Sequence, residues 1–241
     1  ADLGLTDADL ADTLLHPEVQ AFSAQHSTGA IYLEIAQHAR DKGFGNLGLD
    51  LGGEKLRAMA EAIGFNQDQT IDIAAAASRF PTELDRSQAA LSAIGQYDVA
   101  ASPLQMLQVA AAIANDGAMM RPYIVSAVTN RDLTVLSSTA PKKLGQPVSP
   151  STAKLLQQMM VSVVEGGTGR PAQTSGVVVG GKTGTAQSAP DRPPYAWFVG
   201  YAEDPQVAIV AFVENADIDR DDISGGRLAA PIFKAVLEAL R

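Results

Sequence analysis

A lysine set among glycines and threonines stands at Gly180-Gly181-Lys182-Thr183-Gly184-Thr185-Ala186-Gln187, directly after the β-branched run Val177-Val178-Val179. Such a run predicts a strand whose end reaches a site. The residue types suit an anionic ligand. Lys182 brings a positive charge, Thr183 and Thr185 bring hydroxyl donors, and Gly184 removes a side chain so that backbone can come close to a ligand. The same residues would also make an ordinary strand end with a solvated lysine, and a Lys-Thr-Gly triplet alone is too short to choose. Covalent chemistry would need a nucleophile and a base from elsewhere. A serine and a lysine three positions apart share one helix face, so the amine can take the hydroxyl proton. Ser151-Thr152-Ala153-Lys154 has those letters, but it follows Ser149-Pro150, which reads as a helix cap. Ser27 is a second candidate, although Ala30 stands where its base would be.

Composition narrows the rest. The chain has 241 residues, 46% hydrophobic and 19% charged, which suits one globular domain with a sizeable core, with or without an appendage. Lys and Arg number 18 against 27 Asp and Glu, a net charge of −9. A nucleic-acid or anionic-membrane surface would need a basic face, so neither partner is expected. There is no cysteine, which excludes disulfides, thiolate catalysis and thiolate metal sites. Imidazoles come only from His16, His26 and His38, so no metal centre and no cofactor are expected. No apolar run reaches the length of a membrane span, and the first residues lack a basic-then-apolar leader pattern.

Taken in order, residues 1–38 carry Leu10, Leu14, Leu15, Val19 and Phe22 around Pro17, which predicts one or two short helices. Ala30 to Arg40 predicts another, stopping near Gly43. Gly52-Gly53 predicts a turn and Glu54 to Ile63 an amphipathic helix. Residues 65–91 read as loop over a short helix, and Ser92 to Ala101 as a turn. Ser102-Pro103 predicts a capped helix with Met106, Val109, Ala110 and Ile113 inward, ended by Asn115-Asp116-Gly117. Met119 to Val128 reads as extended and 129–148 as loop. Leu155, Leu156, Met159, Met160 and Val163 predict the inner face of the next helix. Beyond the Lys182 strand, Trp197-Phe198 begins a second strand. Val207 to Val213 predicts a third, covered on both faces. A closing helix after Gly225-Gly226 is expected to turn Leu228, Ile232, Val236 and Leu240 inward. Successive strands followed by a helix imply an antiparallel sheet with helices packed on it, an α+β fold.

From about Leu47 to Arg241 these blocks resemble, in order, the transpeptidase domain of penicillin-binding proteins. The similarity is carried by Ser92-Ala93-Ile94-Gly95-Gln96, Ser102-Pro103-Leu104-Gln105-Met106, Ala114-Asn115-Asp116-Gly117, Gly166-Gly167-Thr168-Gly169, the Lys182-Thr183-Gly184 element, Ala196-Trp197-Phe198-Val199-Gly200 and Gly225-Gly226 before Ala229-Ala230-Pro231. The type most resembled is the small class B, actinobacterial one. The resemblance sharpens the fold to the penicillin-binding, serine-acyltransferase type, in which an antiparallel sheet flanked by helices lies beside an all-helical lobe. The function it implies is that of a peptidoglycan D,D-transpeptidase. In the family a serine attacks the D-Ala-D-Ala bond, a lysine takes its proton, and two backbone N–H groups hold the oxyanion, one of them resembling that of Thr185. Lys182 and Thr183 would hold the substrate carboxylate, and Gln96 would frame the site. The implied partners are peptidoglycan stem peptides and β-lactams, with cell-division or elongation proteins reached through regions outside this chain. The implied location is extracytoplasmic, at the cell envelope, with anchor and secretion signal outside it too.

Two family features are altered. Counting back without gaps puts Ala39-Arg40-Asp41 in the Ser-x-Asn slot. Ala39 then lacks a proton-relaying hydroxyl, and Asp41 sets a negative charge where a neutral amide is expected, repelling a substrate carboxylate. Ser27-Thr28-Gly29-Ala30 echoes Ser-x-x-Lys without the lysine. The expected division is therefore a divergent helical segment at 1–38 and a transpeptidase-like domain at 39–241 that lacks the Ser-x-x-Lys portion. Three readings stay open: a transpeptidase domain inactive as given, a non-catalytic relative that binds a muropeptide or a partner, or a structural fragment.

Overall fold

The computed structural model describes residues 43–187 and 192–241. The expectations on Ser27, Ala30, Ala39 and Asp41, and on the helices of residues 1–42, lie outside the described residues. The described residues divide into two compact units, residues 43–58 with 81–99, and residues 59–80 with those from 100 onward.

In the first unit, residues 43–51 are helical (α1). A second helix, α2 (Gly53–Ala62), begins there and crosses the unit boundary, and α3 spans Arg86–Ala93. Helix α1 lies tight on α3, because a Cβ on Gly48 would stand 2.4 Å from that of Ala93. Helix α3 starts with a capping box. Asp85 accepts from the Gln88 N–H at 2.8 Å while Gln88 Oε1 accepts from the Asp85 N–H at 3.1 Å. It runs through Ser92 and Ala93, which were expected in a turn. The turn begins at Ile94 and is made by Gly95 at φ +75°, a conformation glycine adopts without steric cost.

The second unit is built on three strands, β7 (Val179–Ala186), β8 (Tyr195–Glu203) and β9 (Gln206–Val213), antiparallel in that order. Helices α4 (Pro103–Ala114), α5 (Pro150–Gly166) and α6 (Ala230–Ala239) complete it. Both predicted caps are present: Ser102 accepts from Gln105 N–H and Ser149 from Thr152 N–H, each before a proline. The core joins Phe198, Ala202 and Ala211 of the sheet to Val164 of α5 and to Ala230, Phe233 and Leu237 of α6. The Phe198 and Phe233 rings meet edge to face at 4.8 Å.

The helix faces differ from the sequence-based expectation. On α6, Ile232, Val236 and Leu240 are exposed and the adjacent Phe233 and Leu237 are buried. The helix is apolar on two sides, and the Phe198 ring selects the aromatic one. On α5, Leu155 and Met159 are exposed while Ala153, Met160 and Val164 are buried, so the contact stripe follows the small Ala153. On α4 the deepest side chains include two glutamines, Gln105 and Gln108. Strand β9 is only half-covered, with Ala211 its one buried residue.

Three small antiparallel pairs complete the unit: β1 (Gln69–Thr70) with β2 (Ala74–Ala75), β3 (Met119–Met120) with β6 (Lys143–Gly145), and β4 (Ala127–Thr129) with β5 (Val135–Ser138). The stretch expected to be loop at 129–148 thus holds strands. They were hidden because β4 and β5 are exposed on both faces, so no alternation of apolar and polar residues marks them.

Asp72, between β1 and β2, ties this region down. Its Oδ2 accepts from the Ile124 and Val125 N–H groups at 2.8 Å each. Those backbone donors, with Arg121 nearby, lower its carboxyl below the ordinary value. A lowered carboxylate stabilises the fold at pH above its unfolded value, and that stability is lost as pH falls through the folded one. Protection factors for the Ile124 and Val125 amides are therefore expected to fall at acid pH, below the ordinary carboxylate range. The substitution Asp72→Asn tolerates the positive φ of +69° and should remove that pH dependence. Equal pH dependence in both proteins, by hydrogen exchange, would count against the tether.

Candidate active-site strand

Strand β7 carries Lys182, Thr183, Gly184 and Thr185 opposite Val199, Phe198, Trp197 and Ala196 of β8. Its polarity follows from one hydrogen bond. Glu203 N–H donates to the Val178 carbonyl at 3.2 Å, and these residues oppose one another one step beyond the Val179–Ala202 pair. Opposed residues in an antiparallel ladder alternate between those that exchange hydrogen bonds and those that do not. Counting by twos from Val178, Gly180, Lys182, Gly184 and Ala186 bond toward β8. Gly181, Thr183 and Thr185 therefore turn N–H and C=O away from β8. Because β7 is the outer strand, those groups point off the sheet. Val179 to Gly181 are buried while Lys182 and Thr185 are exposed, so the accessible edge begins at Lys182.

The side chains divide between faces. Thr183 and Thr185 share the face of Phe198; Lys182 and Gly184 share the face of Val199 and Trp197. Lys182 nevertheless returns to the edge, where its Nζ donates to the Thr183 carbonyl at 2.6 Å. One ammonium and the outward backbone of Thr183 and Thr185 thus lie on one strand edge, with both threonine hydroxyls on the same sheet face.

Two supporting contacts were not anticipated from the sequence. The hydroxyls of Thr168 and Thr183 lie 2.7 Å apart, so the Thr183 hydroxyl is held by the loop that follows α5. The signal was present in Gly166-Gly167-Thr168-Gly169, but nothing local says which strand such a loop meets. Arg220 is the second. It donates to the side-chain oxygen of Gln187 at 2.6 Å and to the Arg192 carbonyl, joining the end of β7 to the approach to β8.

The π-helical turn Gly225–Ala229 seats on the same strand. A Cβ on Gly225 would come within 2.1 Å of the Trp197 carbonyl oxygen and 2.7 Å of that of Gly184. A Cβ on Gly226 would meet the Thr168 carbonyl oxygen at 2.5 Å. The backbone that comes close to Gly184 is thus that of Gly225. The Trp197 ring lies 4.2 Å from that of Phe212, tilted by 42°, and Tyr195 stands 5.5 Å from the same ring.

The other candidates fall elsewhere. Ser151 stands in the first turn of α5, with its hydroxyl 2.9 Å from that of the capping Ser149, as expected of a cap and its neighbour. Gln96 belongs to the first unit, where its N–H donates to the Leu91 carbonyl. No group of three or more His, Cys, Asp or Glu residues that could hold a metal occurs among the described residues. Among them, too, no helix is long and apolar enough to cross a membrane.

Comparison with known proteins agrees with this architecture. A family model for the penicillin-binding protein transpeptidase domain matches residues 20–238. The chain belongs to that family, and its relatives place it with class B. It is 42% identical over 202 residues to the peptidoglycan D,D-transpeptidase PbpA of Mycolicibacterium smegmatis, covering 81% of this chain and 41% of the relative. It is 35% identical over 221 residues to stage V sporulation protein D of Bacillus subtilis, covering 86% and 33%. The crystal structure of PBPA from Mycobacterium tuberculosis superposes with a TM-score of 0.77 at 36% identity, over 83% of this chain and 49% of that one. The imipenem acyl-enzyme complex of penicillin-binding protein A from M. tuberculosis gives 0.74 at 35% identity, over 83% and 45%. The expected mixed fold of helices and antiparallel sheet is therefore present. The chain spans less than half the length of these curated relatives.

The Gly225 contacts generate a test. Gly225→Ala forces a methyl into strand backbone, which cannot rotate away, so a loss of about 1–3 kcal/mol is expected. Denaturant unfolding measures it, and amide shifts at Gly184 and Trp197 should accompany it. Unchanged stability and unchanged shifts would mean that the turn is not seated on the strand.

Proposed function

We propose that this chain carries the carboxylate-holding half of a peptidoglycan D,D-transpeptidase site. The observation that carries the proposal is the outward-turned backbone of Thr183 and Thr185 beside the Lys182 ammonium. An extended peptide can add to such an edge by main-chain hydrogen bonds, with its terminal carboxylate toward Lys182 and the hydroxyls of Thr183 and Thr185. The outward Thr185 N–H is suited to hold a developing oxyanion. Gly184 keeps the strand slim where Trp197 and Gly225 crowd it. Ligands of this class are D-Ala-D-Ala stem peptides and β-lactams. The acyl-enzyme complexes of the M. tuberculosis protein with imipenem and penicillin G support the second. The domain works at the cell envelope, outside the cytoplasm, and cell-division or elongation proteins reach it through regions beyond this chain.

The nucleophile belongs to a different element. The proposal keeps residues 1–38 as a divergent helical segment and 39–241 as a transpeptidase-like domain without the Ser-x-x-Lys portion. Of the serines weighed, Ser27 lacks a lysine one turn on and Ser151 is part of a helix cap. Without a base a serine hydroxyl is a poor nucleophile. The chain as given is therefore expected to bind without acylating. Incubation with excess penicillin and intact-mass spectrometry checks this; a stoichiometric mass increase that survives denaturation refutes it, and peptide mapping then locates the serine.

Binding has its own test. Charge-assisted hydrogen bonds contribute roughly 1.5–3 kcal/mol each, and association itself costs several. One ammonium and two hydroxyls then support affinity of about 1 mM. Asp41 in the Ser-x-Asn slot would oppose it further. Weak, salt-sensitive binding of D-Ala-D-Ala peptides is expected, reduced by Lys182→Ala and improved by Asp41→Asn, in ligand-observed NMR at two salt concentrations. If Lys182→Ala binds as well as the parent, the strand does not hold the carboxylate. If Asp41→Asn changes nothing, residue 41 does not face the cleft.

A further inference from the structure

Strand β7 ends at Ala186, and the next residue, Gln187, is held from outside the sheet by Arg220. Gln187 follows Thr185 by two positions, so a strand continued by one residue sets its side chain on the face of the two threonine hydroxyls. The connection from β9 to α6 lies over that face. A Cβ on Gly226 would stand 3.8 Å from Cγ2 of Thr183, and Arg220 belongs to the same connection. The connection therefore meets β7 at Gly184, through the Gly225 turn, and just past its end at Gln187, through Arg220.

The Arg220 contact fixes an orientation as well as a position. A guanidinium donates and never accepts, so the oxygen of the Gln187 amide faces Arg220, 2.6 Å from its Nη2. Nη1 of the same fork donates to the Arg192 carbonyl, on the approach to β8. With one arm on each side of the hairpin connection, the fork cannot turn without breaking a charge-assisted hydrogen bond. Asp222, two residues on, bonds Arg227 instead. What remains of the Gln187 amide is its NH2 group, two donors on an exposed side chain. A peptide with its carboxylate on Lys182 and its scissile carbonyl on the Thr185 N–H runs along β7 toward Gln187. At about 3.4 Å per residue, Gln187 lies about 7 Å beyond Thr185, the advance of two peptide residues. Carbonyls two residues apart in an extended chain point the same way. We propose that the Gln187 NH2 donates to the ligand carbonyl two residues upstream of the scissile one, and that Arg220 is the positioning residue that holds the amide so. The inference rests on the reading of the Lys182 edge and names what that edge selects, an extended acylated peptide over a bare terminal dipeptide.

The probes are N-acetyl-D-Ala-D-Ala, which ends one carbonyl short, and N-acetyl-L-Ala-D-Ala-D-Ala, which carries it. Both are titrated by NMR into the 241-residue protein and its Gln187→Glu, Arg220→Lys and Arg220→Ala variants. The quantity read is the ratio of the two affinities, in which any general effect on the edge cancels. The parent is expected to bind the longer peptide about threefold to tenfold more tightly, the return of one hydrogen bond. Its Gln187 side-chain NH2 signals should shift with the longer peptide and not with the shorter. Gln187→Glu keeps an oxygen for Arg220 and has no NH2, so its ratio should fall to about one. Arg220→Ala should lower the ratio toward that value, and Arg220→Lys, which keeps a charged donor, should restore it in part. If Arg220→Ala does not fold, Arg220→Lys and Gln187→Glu decide. A ratio of about one in the parent, or one that Gln187→Glu leaves as it was, overturns the assignment of Gln187 while the Lys182 edge stands. A parental ratio kept in Arg220→Ala overturns the role of Arg220. If neither peptide binds the parent, this inference and the reading of the edge fall together.

Discussion

The outer position of β7, bonded to β8 on one side and turned outward on the other, is the constraint on which the rest of the second unit depends. A ladder in regular register dictates which backbone groups face out, and here that puts Thr183 and Thr185 on the edge. A slip of one residue would turn those groups toward β8 and exchange the faces of Lys182 and Thr183. The register is held on both sides. The Phe198 ring is locked against Phe233 of α6. The Gly225 turn sits over the Gly184–Trp197 pair so closely that only glycine fits.

This arrangement explains why the glycines cluster where they do. Gly180 and Gly181 could not take side chains, because a Cβ would enter the rings of Tyr201 and Phe198 at about 2.5 Å or less. The strand is thin so that large aromatic residues of its neighbour can pack across it. Tyr201, buried and donating to the Gln157 carbonyl, has its hydroxyl pKa raised by that burial. The aromatic mass that stiffens the sheet sits on β8, and β7 is left free to present charge and backbone at its edge.

Much of this was legible in the residues alone. The Lys182 strand, the serine caps at Ser102 and Ser149, and the order of strands followed by a closing helix rest on local chemistry, which the chain states directly. What stayed hidden depends on partners distant in the chain. Helices α5 and α6 each offer two apolar stripes, and which one packs is decided by Phe198 and by the small Ala153. Gln105 and Gln108 look like surface residues, yet the Ile63 carbonyl and a buried wall claim them. Thr168 stood in a recognised block, but its hydroxyl partner lies 15 residues away, across a turn that no pattern orients.

The strand edge and the acylating chemistry are separable in physical terms. The edge is organised by the sheet, the Gly225 turn and the Thr168 loop, all within one unit. A nucleophile must be activated by a base one helical turn away, which is a property of a helix and not of this strand. The chain spans less than half the length of the relatives it matches, and the whole of this edge lies within residues 20–238, the span of the family match. A preformed edge of this kind would lose little conformational freedom if a peptide added to it, because its backbone is already ordered. An edge held by sheet register keeps its outward backbone and its ammonium whether or not a serine stands ready to react.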